Sequence, residues 1–405
     1  VNDEAATEHK TSILADLDLR LATPLMVHTV FVHMAVMFGR VATSYRAVEI
    51  DLSVVWVGAM SAAFAILPAI LAVPVGRFID RGHDSLSVWI GSVMGVLAGL
   101  AYCFLPPSGP TLMLATAFLG VGQLGCMAGH QTIAARAAKG LRGRDAIFGY
   151  HMVAIAAGQG LAPLVIAWLS GDARLPPTQI LFYWGLAIAL VALAIGFAMP
   201  PAPDARARAA QGSTGLGELM KVPGLMAYVL ASVITITGLD VIVVYLPLLG
   251  VERGIGAGAI GMLMTLRAVS SMAARLVYVP LIDLLGRMPL TYATMLSPAI
   301  AFALIATPIP FWAMVVAVIV CGIGLGVSAT LTLSGVVAVA PPNARATAIS
   351  LRLTGNRAGL VVIPFLAGLL ASATGVGGVF LVVAAGLAAS TGGVWASRRR
   401  PDFAG

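Results

Sequence analysis

The sequence predicts an all-α polytopic membrane protein, with twelve transmembrane helices in two pseudo-symmetric six-helix bundles. Three observations lead there. The 405-residue chain is 59% hydrophobic and only 10% charged, where soluble proteins carry about 25% charged residues. Apolar runs of about 20 residues, long enough to cross about 30 Å of hydrocarbon, recur twelve times. Features of the first six runs also reappear in the second six at a constant offset.

The runs fall at 22–45, 54–76, 86–106, 111–135, 147–170, 180–200, 223–249, 257–282, 289–308, 311–338, 347–373 and 377–396. The longest polar interruption, "PPAPDARARAAQGSTGLGELMKVPG" (residues 200–224), has the Pro, Gly, Ala and Ser content of a linker. The expected organisation is therefore an N-terminal segment 1–21, a first bundle 22–200, a linker 201–222, a second bundle 223–396 and a tail 397–405.

An even number of spans puts both termini on one side. Sixteen basic residues, from Lys10 to Arg400, fall on that side, against Arg46, Arg174 and Arg253 on the other. The positive-inside rule makes the termini cytoplasmic, in a bacterial-type inner (plasma) membrane. The first twenty residues mix both charge signs and lack a cationic stretch before an apolar one, unlike a cleaved signal peptide. No single loop concentrates the net charge of +7, so it reads as topology, and no nucleic-acid partner is expected. Cys103, Cys126 and Cys321 lie in apolar runs, without metal-ligand or disulfide spacing. No cofactor, metal or catalytic cluster is expected, which excludes an enzyme, and no nucleotide-binding domain is present to drive a pump. The expected partners are a small-molecule substrate, the lipid bilayer, and protons or a counter-substrate, acting on a monomer.

The repeat has a definite register. Gly58 opens the second span and Asp80 follows 22 residues later; Gly261 opens the eighth and Asp283 follows at the same distance, so both offsets are 203. "RGRDA" around Arg144 matches "PNARA" around Arg345, each at the entry of span 5 or 11, and "GVGQLG" in span 4 has a counterpart in "GIGLG" of span 10. Two six-helix halves related by a parallel repeat are the plan of alternating-access carriers.

Gly76-Arg77-Phe78-Ile79-Asp80-Arg81 resembles the loop 2–3 signature of the major facilitator superfamily, and Asp283, Gly286 and Arg287 resemble its eroded second copy. Gly149, Gly158 and Pro163 lie on the spacing of that superfamily's antiporter motif, with Ala162 in place of the usual Gly. The helix 4 motif with a membrane arginine is not matched. The resemblance covers the whole chain and implies the major facilitator fold and secondary transport. Gly76, Asp80, Arg81, Asp283 and Arg287 are the expected gating residues, because a carboxylate at a helix end can pair across the halves when that mouth is closed.

A charge at mid-bilayer costs about 2.5–3.5 kcal/mol by insertion measurements, so it should face a wet cavity or a partner. The candidates are Arg40, Arg267, Arg275, Arg352 and Arg357 against one acid, Asp240, with His28, His33, His130 and His151 in addition. Arg267 and Arg357 fall near mid-span, too deep to snorkel; Arg275 and Arg352 lie shallower, as gate or snorkelling residues. Arg267, Ser270, Ser271 and Ala274 share one helix face, and Arg352, Asn356 and Gly359 another. Two deep guanidinia imply an anion between them, because each presents a planar donor fork to carboxylate or phosphate oxygens. This is similar to the organic-anion branches of the superfamily, the oxalate/formate exchangers and monocarboxylate carriers, whose helix 8 and helix 11 basic residues would correspond to Arg267 and Arg357.

Arg40, His33, His130, Gln123, Asn356 and Tyr245 complete the expected substrate contacts. His33 and Arg40 share a face of span 1, and Gln123 and His130 a face of span 4. Asp240 and His28 are candidates for coupling; Asp240 is equally a counter-ion for Arg40 or Arg267. The expected activity is alternating-access transport of a small, carboxylate-like organic anion by proton coupling or exchange. The alternative is a proton-coupled efflux carrier for amphipathic drugs.

Overall fold

A computed structural model describes residues 17–138, 140–200, 221–340 and 345–398. It contains twelve long helices: α1 (Leu19–Glu49), α2 (Val54–Asp80), α3 (Asp84–Phe104), α4 (Gly109–Ala137), α5 (Gly140–Ser170), α6 (Thr178–Gly196), α7 (Leu225–Glu252), α8 (Ala257–Leu276), α9 (Arg287–Ala306), α10 (Phe311–Val339), α11 (Arg345–Thr374) and α12 (Val376–Arg398). All twelve are long and apolar enough to cross a membrane. Among the described residues the only β pairing is a single bridge between Leu17 and Ala138. Most of the expected linker, residues 201–220, lies outside the described residues.

Local chemistry sets the helix ends. Asp18 caps α1, its carboxylate accepting from the Arg20 amide at 3.0 Å. Ser108 and Thr111 form a reciprocal capping box at the start of α4, satisfying amides that no helical carbonyl can reach. One predicted span is divided. The run 257–282 was expected as one helix, but α8 stops at Leu276 and a separate short helix covers Tyr278–Leu285. Pro280 has no amide hydrogen, so it cannot bond the carbonyl of Leu276, four residues back, and the helix breaks there.

Each half has its own packing. In the first, α1 lies against α4, α5 and α6, while α4 is packed by α2 and α3; in the second, α7 lies against α10, α11 and α12, and α9 joins α10 and α12. Helices α3, α6, α9 and α12 pack chiefly within their own half. The halves meet through α2 on α11, α5 on α8 and α1 on α7.

The repeated glycines lie at these junctions. A methyl group on Gly58 would come 2.8 Å from the Pro364 carbonyl oxygen and 3.3 Å from the Gly368 Cα. One on Gly261 would come 2.6 Å from the Pro163 carbonyl oxygen and 2.8 Å from the Ala167 Cβ. Gly58 and Gly261 are 203 residues apart; Pro163 and Pro364, and likewise Ala167 and Gly368, are 201 apart. The two contacts are thus the same contact made twice by the two-fold repeat. Both lie toward the face opposite the chain termini, where the Ala257 and Gly258 amides also donate to the Ala173 and Gly171 carbonyls at 2.8 and 3.0 Å. Arg174 adds bonds of 2.8 and 3.0 Å to the Val251 carbonyl. That mouth is sealed.

Only glycine fits this approach, since the opposing atoms are backbone and cannot rotate away. Gly58→Val and Gly261→Val should therefore each disfavour the sealed arrangement by about 1–3 kcal/mol, as overpacking does, a shift of roughly 5- to 150-fold in the population of the two states. Spin-label distances between the ends of α2 and α11 at the face opposite the termini should lengthen in Gly58→Val. Unchanged distances would mean that the glycine contact does not set the closed state.

Candidate functional site

Just inside the seal, Arg40 of α1 and Asp240 of α7 form a two-pronged ion pair across the halves. One guanidinium nitrogen donates to Asp240 Oδ1 and the other to Oδ2 at 2.9 Å. Ser61 of α2 donates to the same Oδ2 at 3.1 Å, and the Phe64 ring lies under the guanidinium with 4.4 Å to its centroid. Arg40 and Asp240 are each only 8% exposed. Of the two partners the sequence left open for Asp240, the structure selects Arg40. Ser61 and Phe64 were not singled out from sequence, although Ser61 lies one helical turn from Gly58 on the same helix.

Among the described residues, Arg267 is therefore left without an acid. It is 3% exposed, and its Nε has no hydrogen-bond partner among the described residues. Its backbone is fixed by α10: a methyl on Gly322 would lie 2.5 Å from the Arg267 carbonyl oxygen, as one on Gly120 would meet the carbonyl of Phe64. Arg267 and Phe64, 203 residues apart, thus occupy equivalent places in the two halves. Arg357 of α11 is half-buried, with no ion pair among the described residues. Arg267 lies six residues from Gly261 and Arg357 seven from Pro364, so both sit roughly 9–10 Å from the seal toward the termini. The two arginines share a level, but their helices do not pack on each other: α8 lies on α5 and α10, and α11 on α2, α7 and α12.

The shallower arginines lean on α10 from both sides. Arg275 Nε donates to the Gly326 carbonyl at 3.4 Å, and Arg352 donates to the Ala329 carbonyl at 3.2 Å. Asn356 accepts from the Ser232 hydroxyl at 3.0 Å, which ties α11 to α7. Tyr245 is fully buried and donates to the Pro364 carbonyl at 2.8 Å, so it belongs to the seal rather than to the space beneath it.

The first half contributes imidazoles, and these face one another. His28 Nδ1 lies 2.7 Å from His130 Nε2, and His33 Nδ1 donates to the Thr29 carbonyl at 2.9 Å. His151 meets His130 edge-on, with 5.6 Å between ring centroids. Gln123 lines a small cavity within the first half, beside Val32, Gly91 and Ser92. These residues are gathered inside one bundle, not at the junction with the other.

Among the expected gating residues, Arg81 ends α2 and is exposed, as is Asp283 on the short helix Tyr278–Leu285. Arg287 donates to the Ser334 hydroxyl at 3.1 Å. A methyl on Gly76 would meet nothing within 4 Å, and the Asp80 side chain lies outside the described residues. Among the described residues, no hydrogen bond or ion pair joins the halves nearer the termini than Arg40–Asp240 and the 3.2 Å bond from Thr265 to the Gly160 carbonyl.

Similarity to known proteins agrees with this architecture. The nucleoside transporter NupG, in a point-mutant form, superposes with a TM-score of 0.79 at 16% identity, over 93% of this chain and 99% of its own. A bacterial homologue of the human lysosomal transporter Spinster, inward-facing and occupied, gives 0.69 at 16% identity over 92% and 96%. The human organic anion transporter MFSD10 (TETRAN) gives 0.65 at 16% identity over 93% and 99%. No curated protein matches the chain. The family model of the Major Facilitator Superfamily matches residues 25–258 and 228–404, together nearly the whole chain. With twelve candidate spans, a two-fold repeat and one sealed mouth, this chain belongs to the Major Facilitator Superfamily and is a transporter rather than an enzyme.

Proposed function

We propose that the protein is a secondary carrier for a small organic anion with a carboxylate-like group, working by alternating access through proton coupling or exchange. It acts as a monomer in a bacterial-type inner membrane with both termini cytoplasmic, so the sealed mouth is the outer one. The observation that supports an anion is the charge balance beneath the seal. Asp240 is neutralised by Arg40, whereas among the described residues Arg267 is buried with an unpartnered Nε and Arg357 has no acid. Excess guanidinium at this depth is costly unless an anion shares the space.

The structural neighbours support only the fold, since one is described as a nucleoside transporter and another as an organic anion transporter. A drug-efflux role has the partial helix-5 motif in its favour, but among the described residues the acid at the junction, Asp240, is already paired with Arg40. Purified protein should be screened by thermal shift against mono- and dicarboxylates, phosphates, nucleosides and cationic drugs. A carboxylate at 100 times its Kd should add about 2.7 kcal/mol of stability. Stabilisation by nucleosides or cationic drugs alone would overturn the anion reading.

A further inference from the structure

Hydrogen counting around the buried histidines of the first half points to a site that transport of the cargo does not account for. Ser92 of α3 donates its single hydroxyl hydrogen to the Val88 carbonyl at 2.9 Å. Thr29 of α1 donates its own to the Leu25 carbonyl at 2.8 Å. Toward the rings, both hydroxyl oxygens therefore act as acceptors. In that arrangement His28 Nε2, 3.0 Å from Ser92 Oγ, carries a hydrogen, and so does His130 Nδ1, 3.3 Å from Thr29 Oγ1. The remaining nitrogens, His28 Nδ1 and His130 Nε2, lie 2.7 Å apart and need one hydrogen between them. With both hydroxyls turned to their own helices, the network takes three N–H hydrogens, one more than two neutral imidazoles supply.

We propose that His28 and His130 form a proton-binding site, holding one exchangeable proton between their facing nitrogens, with His151 as the neighbouring ring that delivers and removes it. The proton-free state is equally well formed. When the proton leaves, Thr29 swings its hydroxyl from Leu25 to His130 Nδ1 and donates there, so one rotation accommodates both states. His151 is fully buried and neither of its ring nitrogens has a hydrogen-bond partner, so its lone pair is free to take the proton from His130 after a small ring rotation.

Among the described residues, no acid is in contact with the pair. Packed around the pair are His33 on α1, Ser92 on α3, Cys126 on α4, His151 on α5 and Gly196 on α6. Among the described side chains of the surrounding helices, the first charged groups beyond these are Asp84 and Arg136, paired at 2.8 Å. Arg136 is six residues past His130, roughly 9 Å along the helix. A buried cation without a counter-ion is costly, and sharing the charge over two rings lessens that cost without trapping the proton. The site would serve a proton-coupled carrier, and its test uses no substrate, so its failure would leave the anion reading standing.

The test is ring-nitrogen NMR of the full chain, labelled with 15N-histidine in lipid nanodiscs and titrated between about pH 8 and pH 5, the range in which imidazoles change charge. In the wild type, two rings should shift together and gain one proton between them as pH falls. His130→Gln preserves hydrogen bonding but cannot titrate, so it should abolish this uptake, whereas His33→Gln should leave it intact. His28→Gln should abolish the uptake as well, because the shared proton needs both facing ring nitrogens. All rings remaining neutral in the wild type, or uptake persisting in His130→Gln, would overturn the proposal. If His130→Gln does not fold, His28→Gln decides, and uptake persisting there overturns it.

Discussion

Asp240→Asn should destabilise the sealed protein by about 3–5 kcal/mol, the range found when one partner of a buried ion pair is removed. Asparagine keeps one acceptor oxygen for Arg40 but leaves the guanidinium, 8% exposed, without a counter-charge. Ser61 loses its carboxylate acceptor at the same time, and the aromatic contact with Phe64 cannot replace an anion. Because the pair joins α1 to α7, the loss falls on the junction of the halves as well as on their folding. Arg40→Met combined with Asp240→Leu should recover most of that stability, since apolar side chains of similar volume commonly replace buried pairs without loss. Thermal unfolding in detergent tests both. An Asp240→Asn protein as stable as wild type would show that the pair contributes nothing. A stable double variant that no longer transports would show that the pair works in the cycle rather than in folding.

The second large effect is expected at the two unpaired arginines. Arg357→Lys keeps the charge but loses the planar fork, and with charge-assisted hydrogen bonds worth about 1.5–3 kcal/mol each, one lost bond means roughly 10- to 100-fold weaker anion binding. Arg357→Ala should lose more, and Arg267→Ala should behave alike, because both groups lie at the same level beneath the seal. Asn356→Ala is the control. Its amide oxygen is already committed to Ser232, so this change should affect helix packing more than affinity. Calorimetric titration with the best-stabilising carboxylate measures all four. Near-native binding by Arg357→Ala and Arg267→Ala would make these arginines structural and the anion assignment wrong.

Asp240 and Tyr245 illustrate how far linear reading reaches. From sequence, Asp240 was equally a partner for Arg40 or for Arg267, because depth along a helix says nothing of which neighbour a side chain meets. Tyr245 was placed among substrate contacts by its polar tip and depth, but its hydroxyl is used by the Pro364 carbonyl 119 residues away. The four histidines were visible as single candidates. Their mutual contact was not, since His28 and His130 are 102 residues apart and meet only when α1 and α4 pack side by side.

What the sequence determined by itself was everything that depends on local solvent preference and register. The bilayer rewards any apolar run of sufficient length, so the twelve spans are written residue by residue. The repeat of Gly58 at Gly261 gave the register of the two halves, and the structure then put both glycines where backbones approach. The tertiary structure alone decided which mouth is sealed, which arginine is neutralised and which rings share hydrogens. Those are pairings between residues about 100 to 300 positions apart, and helix periodicity specifies the face a side chain occupies but not the helix that comes to lie against it.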